Sequence, residues 1–155
     1  MGIKSIITTQ YRQKVNQAAS LVEKVTVPPE GWLRTVRKAL GMSAAQLARR
    51  LGKSRALVSN TEKAELEDRV TLKTMKVMAE AMNCRFVYAI VPENNIESVL
   101  QVRAQNKAQQ RVSETSKHMA LEQQSLSQEQ IAFERDRLAS GMLKNMPADF
   151  WNDEV

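Results

Sequence analysis

The sequence has little cysteine, proline, glycine or aromatic content, and each shortage excludes a class of protein. Its 155 residues include one cysteine, four prolines, five glycines and 5% aromatic residues. Cys84 cannot form an internal disulfide, which fits a reducing compartment, and we expect it to be a small buried hydrophobic residue. With 43% hydrophobic but few aromatic residues, helices packed through Leu, Ala, Val and Met are favoured over a β-sandwich.

Long apolar runs and the usual catalytic motifs are also missing. The longest apolar run, around residues 86–91, is far too short to span a bilayer, and the N-terminus has no signal-peptide pattern. No glycine-rich phosphate loop, nucleophile elbow or catalytic carboxylate pair is visible. His118 has no partners at metal-ligand spacing, so a surface or helix-packing role is favoured. We therefore expect a cytoplasmic protein that is not an enzyme and has no cofactor or metal.

Charge is distributed unevenly along the chain. Residues 1–92 carry 16 Lys and Arg against 7 Asp and Glu, a net charge of +9. Residues 93–155 carry 7 against 10, a net charge of −3. Such asymmetry indicates a basic half that faces a polyanion and an acidic half with another role.

Helical periodicity with clear end signals covers most of the chain. A helix is predicted over Thr9–Val25, and it ends before the helix-breaking Pro28-Pro29-Glu30-Gly31. Four short helices follow, with the last buried through a methionine stripe. The first of the four ends at Gly41. The other three begin at predicted N-cap residues, which are Ser43, Ser54 and Thr71.

Residues 85–91 interrupt the helical pattern. β-Branched and aromatic side chains dominate there, and Pro92 closes the run, which predicts a strand. One strand in an otherwise helical chain has an unpaired edge. Pairing with the same strand of a second chain would satisfy that edge, so the pattern predicts a homodimer.

The C-terminal region is polar but still periodic. Helices are predicted over Asn95–Arg111 and from a capping box at Ser127. The thin apolar content of residues 101–130 leaves their order open. The acidic end carries Phe150 and Trp151, which either fold onto their own domain or anchor a partner.

Residues 40–62 carry the pattern that indicates a function. Leu47 and Ala48 would hold one helix against the core, and Gly52 permits a left-handed turn into the next. Val58 would anchor that second helix from below. The side chains that then point outward at its N-terminal end are Arg55, Ala56, Ser59 and Asn60. This end of the second helix is the part that enters the DNA major groove.

The outward side chains suit DNA recognition. Arg55 can bond a guanine edge, Asn60 an adenine edge or a phosphate, and Ala56 can lie on a thymine methyl. Helix N-termini and nearby lysines are suited to phosphates. The predicted DNA-binding residues are Ser43, Lys53, Ser54, Arg55, Ala56, Ser59, Asn60, Thr71 and Lys73. The alternative is a helical hairpin that packs internally or binds only protein.

The segment from Trp32 to Met82 resembles the Xre family of Cro/cI-type helix-turn-helix domains. The resemblance rests on Ser43-x-x-Gln-Leu-Ala, Leu51-Gly, Ser54 and Val58-Ser59-x-x-Glu62. It implies that Arg55, Ala56 and Asn60 face base edges while Ser43 and Ser54 face phosphates. The chain departs from the family at Asn60, where Arg is common, and at Ala44, where Gln often touches the backbone.

A longer stretch, about residues 28–125, is similar to the family called mobile mystery protein A. The matching motifs are Pro29-x-Gly-Trp-Leu-Arg, Val70-Thr-Leu-Lys-Thr-Met, Cys84-Arg-Phe-Val-Tyr-Ala-Ile-Val-Pro92 and His118-Met-Ala-Leu-Glu-Gln. The resemblance implies a repressor of its own operon with a Fic-domain partner. The alternative is an antitoxin-like protein that restrains a Fic-domain toxin through its C-terminal region.

Fic inhibitors often carry a helical Ser/Thr-x-x-x-Glu-Gly/Asn motif. Thr26-x-x-x-Glu30-Gly31 matches the letters, but its two prolines exclude a helix. Ser125-x-x-x-Glu129-Gln130 could be helical but ends in the wrong residue. Neither match therefore establishes direct inhibition.

The patterns together predict a mainly α fold with a Cro/cI-type helix-turn-helix, one β-strand and C-terminal helices. We divide it into an N-terminal helical arm (1–27), a helix-turn-helix DNA-binding domain (28–83), a dimerising β-strand (84–92) and a C-terminal helical region (93–155). The last region would bind a partner or support the dimer. The expected partners are double-stranded operator DNA, a second copy of the chain and a Fic-domain protein.

Overall fold

The computed structural model describes residues 2–121 and 126–153, and all regular structure in those ranges is helical. The helices are α1 Ile3–Val22, α2 Trp32–Ala39, α3 Ala44–Leu51, α4 Arg55–Leu66, α5 Leu72–Ala81, α6 Ile96–Leu121 and α7 Gln128–Lys144. They belong to two compact units. One unit is Glu23–Ala89, and the other combines Met1–Val22 with Ile90–Val155. None of the described helices is both long and apolar enough to cross a membrane.

Helices α2 to α5 surround the core of the first unit. Its buried members are Leu33, Leu47, Ala48, Val58, Met75, Met78 and Met82. The predicted methionine stripe on α5 is therefore confirmed as core. Burying each of the larger side chains stabilises the fold by about 1.5–3 kcal/mol relative to exposure, so this cluster fixes how the four helices pack.

The predicted N-caps of α3, α4 and α5 are confirmed. The hydroxyls of Ser43, Ser54 and Thr71 each accept a backbone N–H bond of 3.1 Å from the residue three positions on. The Ser43 backbone N–H in turn donates to the Gln46 side chain at 2.8 Å, which completes the capping box. Each such cap stabilises its helix by about 1 kcal/mol, so the sequence itself fixes where these helices start.

The start of α2 is stabilised differently, by a side chain from α4. The Glu65 carboxylate accepts the backbone N–H groups of Trp32 and Leu33 at 2.7 and 2.9 Å. Gly31 precedes α2 with φ 82° and ψ 163°, a region that is essentially restricted to glycine. A Cβ on Gly31 would also lie 2.9 Å from Glu65 Oε1. Glycine is thus required both for the backbone conformation and for the approach of the carboxylate.

The structure contradicts the predicted β-strand. Residues 84–92 form neither helix nor strand. The two aromatic side chains of this segment form packing contacts instead. Phe86 packs against the α2–α5 core, and Tyr88 stacks on Phe86 with 5.7 Å between ring centroids. The homodimer predicted from an orphan strand therefore loses that basis.

Cys84 is a second correction. It lies at the start of this irregular segment and is exposed rather than buried. Asn83 just before it has φ 56° and ends α5 as predicted. The chain leaves the helix in the left-handed conformation at Asn83, and the Cys84 Sγ donates to Met82 O at 3.3 Å.

The second unit is built on α6 and α7, which pack around their own core. Its buried members are Leu100, Ala104, Ala108, Ala139, Met142 and Phe150. Helix α7 begins at the predicted Ser127 capping box. Helix α6 runs ten residues beyond the predicted end at Arg111, with Val112 buried four residues after Ala108. Residues 101–121 are therefore helical. Within the region whose order the sequence left open, residues 122–125 lie outside the described ranges.

Helix α1 joins this unit through Asn16. Its side-chain oxygen accepts the Ile96 backbone N–H at 2.8 Å, and its Nδ2 donates to Glu97 at 2.8 Å. The backbone N–H of Glu97 and the Asn16 amide, in that order, hold the pKa of the Glu97 carboxyl below its usual value. Asn16 thus satisfies an open amide at the N-terminus of α6.

We expect Gly31→Ala to destabilise the first unit by about 3 kcal/mol, because it combines a glycine-only conformation with displacement of the Glu65 carboxylate. Gly41→Ala is the matched control: Gly41 also has positive φ, 67°, but nothing lies within 4 Å of an added Cβ. That variant should cost only about 1 kcal/mol. Chemical denaturation followed by circular dichroism measures both, and equal losses would show that the close approach of Glu65 is unimportant.

Candidate nucleic-acid interface

Helices α3 and α4 form a pair joined by a tight turn at Gly52. Gly52 has φ 66° and ψ 31°, the left-handed conformation expected from the sequence. The Lys53 N–H donates to Ala48 O at 2.9 Å and closes the end of α3. Leu47 and Ala48 on α3 and Val58 on α4 are buried against each other in the core. This fixed geometry leaves the N-terminal end of α4 facing outward.

All nine residues predicted to bind DNA are exposed. Arg55 and Ala56 open α4, and Ser59 and Asn60 follow one turn later. Arg55 and Ser59 share one face of the helix and Ala56 and Asn60 share the adjoining one, because each pair is four residues apart. The remaining five are the caps and lysines at the helix starts, which are Ser43, Lys53, Ser54, Thr71 and Lys73.

Part of the predicted set lines one open groove of about 560 Å³. Ser43 from the start of α3 meets Arg55 and Ser59 from α4 there. Three cations outside the predicted set, Arg34, Arg37 and Lys63, also line it. The other predicted residues, which are Lys53, Ser54, Ala56, Asn60, Thr71 and Lys73, do not line this groove. The structure thus brings only three of the nine predicted DNA-binding residues to one groove.

A buried ion pair lies at the floor of this groove. Arg37 Nε and Nη2 donate to the two Glu62 carboxylate oxygens at 2.6 and 3.2 Å. Arg37 Nη1 donates to Met42 O at 3.0 Å. The two side chains are only 12% and 11% exposed. The sequence motif included Glu62 but did not predict its partner. Its position four residues after the buried Val58 places it on a buried helix face, and a charge on such a face requires an opposite charge.

Some cations of this unit form internal contacts, and others have no carboxylate of the described chain at ion-pair distance. Arg50 donates to Ala81 O at 2.6 Å and to Asn83 Oδ1 at 3.1 Å, so it fixes α3 to the end of α5. Within the described ranges, no carboxylate lies at ion-pair distance from Lys53, Arg55 or Lys73. Their charges are therefore available to an external anion such as a phosphate.

One acidic residue near the groove is already neutralised. Glu30 lies 2.9 Å from Lys38 Nζ and 3.5 Å from Arg34 Nε. The hydrogen bond and charge of Lys38, followed by the charge of Arg34, hold the pKa of Glu30 below its usual value. Among the described residues, no group of three His, Cys, Asp or Glu side chains could hold a metal ion.

We expect Glu62→Gln to destabilise this unit by about 3 kcal/mol, because it leaves the Arg37 guanidinium buried without a counter-charge. Glu67→Gln is the control: it removes the same charge from the exposed pair with Arg69 and should cost less than about 1 kcal/mol. The Arg37→Met/Glu62→Leu double variant should recover most of the loss, since apolar side chains can replace a buried pair. Urea denaturation measures all three, and similar losses for the two Glu→Gln variants would contradict the expectation.

Residues 33–88 match the family model described as Helix-turn-helix. No curated protein and no solved structure matches the chain. The match covers α2 to α5 and the Phe86–Tyr88 stack, and it supports a DNA-binding regulator of transcription. Residues 33–88 are a helix-turn-helix domain of the Cro/cI type.

Proposed function

We propose that the protein is a sequence-specific transcriptional repressor that binds an operator upstream of its own operon. One observation carries the proposal. The outer side of the first two turns of α4 presents an arginine, an alanine, a serine and an asparagine, all exposed, on a helix-turn-helix domain. Side chains of these types match base edges, whereas an internally packed hairpin would bury this side.

In this proposal α4 lies in the major groove with its N-terminal end against the base edges. Arg55 makes bidentate bonds to guanine, Asn60 bonds an adenine edge or a phosphate, and Ala56 contacts a thymine methyl. The Ser43 and Thr71 caps take up one first-turn amide each. The other amides of those first turns, with Lys53 and Lys73, bind phosphates on either side.

A homodimer is part of the same proposal, because one recognition helix reads only one half-site. Two copies place two recognition helices in successive major grooves of a near-palindromic operator, with half-sites about 34 Å apart. The support for a dimer is this requirement of helix-turn-helix binding, and it no longer includes residues 84–92.

The second candidate is an antitoxin-like role in which the C-terminal region restrains a Fic-domain partner encoded in the operon. The resemblance to mobile mystery protein A suggests this partner. One observation favours a protein contact: Phe133 on α7 is 67% exposed and lines an open pocket of about 680 Å³ with Glu129 and Glu134. Co-purification with the product of a neighbouring Fic gene tests it, with Phe133→Ser expected to lose the partner.

The two Fic-inhibitor motif candidates do not add support. Thr26 to Gly31 is not helical, as its prolines required, and Glu30 is engaged with Lys38. Ser125 of the second candidate lies outside the described residues. The antitoxin-like candidate therefore depends on the exposed α7 surface and on the resemblance.

The first test is fluorescence anisotropy of the full chain with its own upstream DNA and with a scrambled duplex near physiological salt. We expect a preference of roughly 10³-fold or more. Arg55→Ala should reduce that preference by about 10- to 100-fold through loss of one bidentate contact. Lys73→Ala should weaken binding to both duplexes alike and lower the salt slope by about 1.

Lys144→Ala is the matched control, because it removes the same exposed side chain and charge from α7, outside the helix-turn-helix domain. It should change neither affinity nor preference. Intact operator preference in Arg55→Ala would show that the assigned register of α4 is wrong. Equal binding of the unchanged chain to both duplexes would overturn the repressor proposal.

The dimer makes a separate prediction about operator spacing. Insertion of about five base pairs between the half-sites turns one of them to the opposite face of the duplex. We expect the affinity to fall towards that of a single half-site, measured by the same anisotropy titration. Unchanged affinity would indicate that two copies do not bind as a unit.

A further inference from the structure

The C-terminal residues 149–153, called the tail segment, lie along α6. Phe150 is 1% exposed and belongs to the core between α6 and α7. Trp151 packs edge-on against Phe150 at 5.1 Å and stays 54% exposed. The sequence left open whether these aromatics fold onto their own domain, and Phe150 does so.

A row of three cations lies on α6, and two of them hold the main chain of this segment. Arg103, Lys107 and Arg111 are spaced four residues apart and therefore share one face of the helix. Arg103 donates to Phe150 O at 2.7 Å and to Asn152 O at 2.9 Å. Lys107 Nζ donates to the same Asn152 O at 2.9 Å. Three of the contacts therefore recognise carbonyls that any peptide would supply.

The same cations contact two carboxylates of the tail segment. Arg103 Nη1 lies 2.8 Å from Asp153 Oδ1, and Arg111 Nη2 lies 3.2 Å from Asp149 Oδ1. The carboxylates are exposed, at 49% for Asp149 and 87% for Asp153, so solvent screens both pairs. The groups bound are a carboxylate, a phenyl ring on the next residue, and a second carboxylate three residues after the ring.

Lys107 is the most buried of the three cations, and the tail segment supplies its polar partners. Its side chain is 2% exposed, and Asp149 lies 3.8 Å from its Nζ in addition to the Asn152 carbonyl. Both of these partners belong to the tail segment. This low exposure is that of the chain with the tail segment in place, and release of the segment would expose the ammonium to water. A segment that displaces the tail therefore competes best when it offers Lys107 both a carbonyl and a carboxylate.

We propose that the α6 cation row and the Phe150 site together form a peptide-binding groove for an acidic segment of a partner protein. The partner segment has the spacing carboxylate–Phe–x–x–carboxylate, and the chain's own residues 149–153 occupy the groove in its absence. Charge complementarity and main-chain recognition carry this assignment. It is independent of DNA binding, because every residue involved lies on α6, on α7 or in the tail segment.

The test uses a fluorescein-labelled peptide with the sequence of residues 146–155 and the full chain as receptor. In the unchanged chain the covalent tail competes at an effective concentration on the order of millimolar, so peptide binding should be weak. Phe150→Ala empties the groove of its ring, and this chain should bind the peptide at least about tenfold more tightly. Binding should weaken as salt increases.

Two controls separate this effect from damage to the fold. Asp149→Arg repels the tail from Arg111 without creating a cavity, and it should also raise peptide affinity. A peptide with alanine in place of its phenylalanine should bind the Phe150→Ala chain about tenfold more weakly than the original. If both variants keep their helical circular dichroism and neither binds more tightly than the unchanged chain, the tail is not displaceable and the proposal is wrong.

A second copy of the chain is the competing occupant. Chains carrying Arg111→Asp and chains carrying Asp149→Arg each have a mismatched groove and tail. When they are mixed, the mismatches cancel only if tails exchange between copies. Trp151 emission, in a Trp32→Phe background, reports whether the tail is docked. Recovery on mixing would assign the groove to a second copy and overturn the partner assignment, whereas no recovery together with peptide binding would support it.

Discussion

The helix-turn-helix unit depends on the ion pair buried between α2 and α4. Arg37 joins Glu62 through two bonds and reaches Met42 O with its third nitrogen, so one guanidinium connects α2, α4 and the turn before α3. Its net contribution to stability is expected to be small relative to a well-packed apolar pair. Its geometric effect is larger, because Glu62 and Val58 hold one side of α4 inward and thereby determine which side chains face out.

Local arrangement, rather than net charge, decides which cations are available to a ligand. Arg37 and Arg50 lie in the basic half of the chain but are committed to internal contacts. Arg55 lies in the same half and is exposed, and no carboxylate of the described residues lies at ion-pair distance from it. In the acidic half, Lys107 is buried and serves the tail segment. The charge asymmetry of the sequence therefore indicated the half that contains the helix-turn-helix domain, but not which of its cations are free of internal contacts.

Short-range features were predictable from the sequence and long-range ones were not. Caps such as Ser43 and the turn at Gly52 follow from residues within four positions. The Glu65 contact with α2 joins positions more than thirty residues apart, which no local pattern encodes. The strand over 85–91 was wrong because β-propensity reports a fit to a half-buried surface, and packing of Phe86 against helices satisfies it without a ladder. The extension of α6 beyond Arg111 is encoded in the buried stripe through Ala104, Ala108 and Val112.

The Arg37–Glu62 pair and the contacts of Lys107 with the tail segment have one feature in common but differ in its consequence. Each places a cation on a helix face where burial demands a partner from far along the chain: Glu62 lies 25 residues from Arg37, and Asn152 lies 45 residues from Lys107. Glu62 sits on a packed helix and is almost as buried as its arginine, so releasing it would require separating α2 from α4. The partners of Lys107 belong to the tail segment, whose carboxylates are already solvated. Water can therefore replace part of each contact during release, and this difference makes the first pair a permanent element of the fold and the second an exchangeable one.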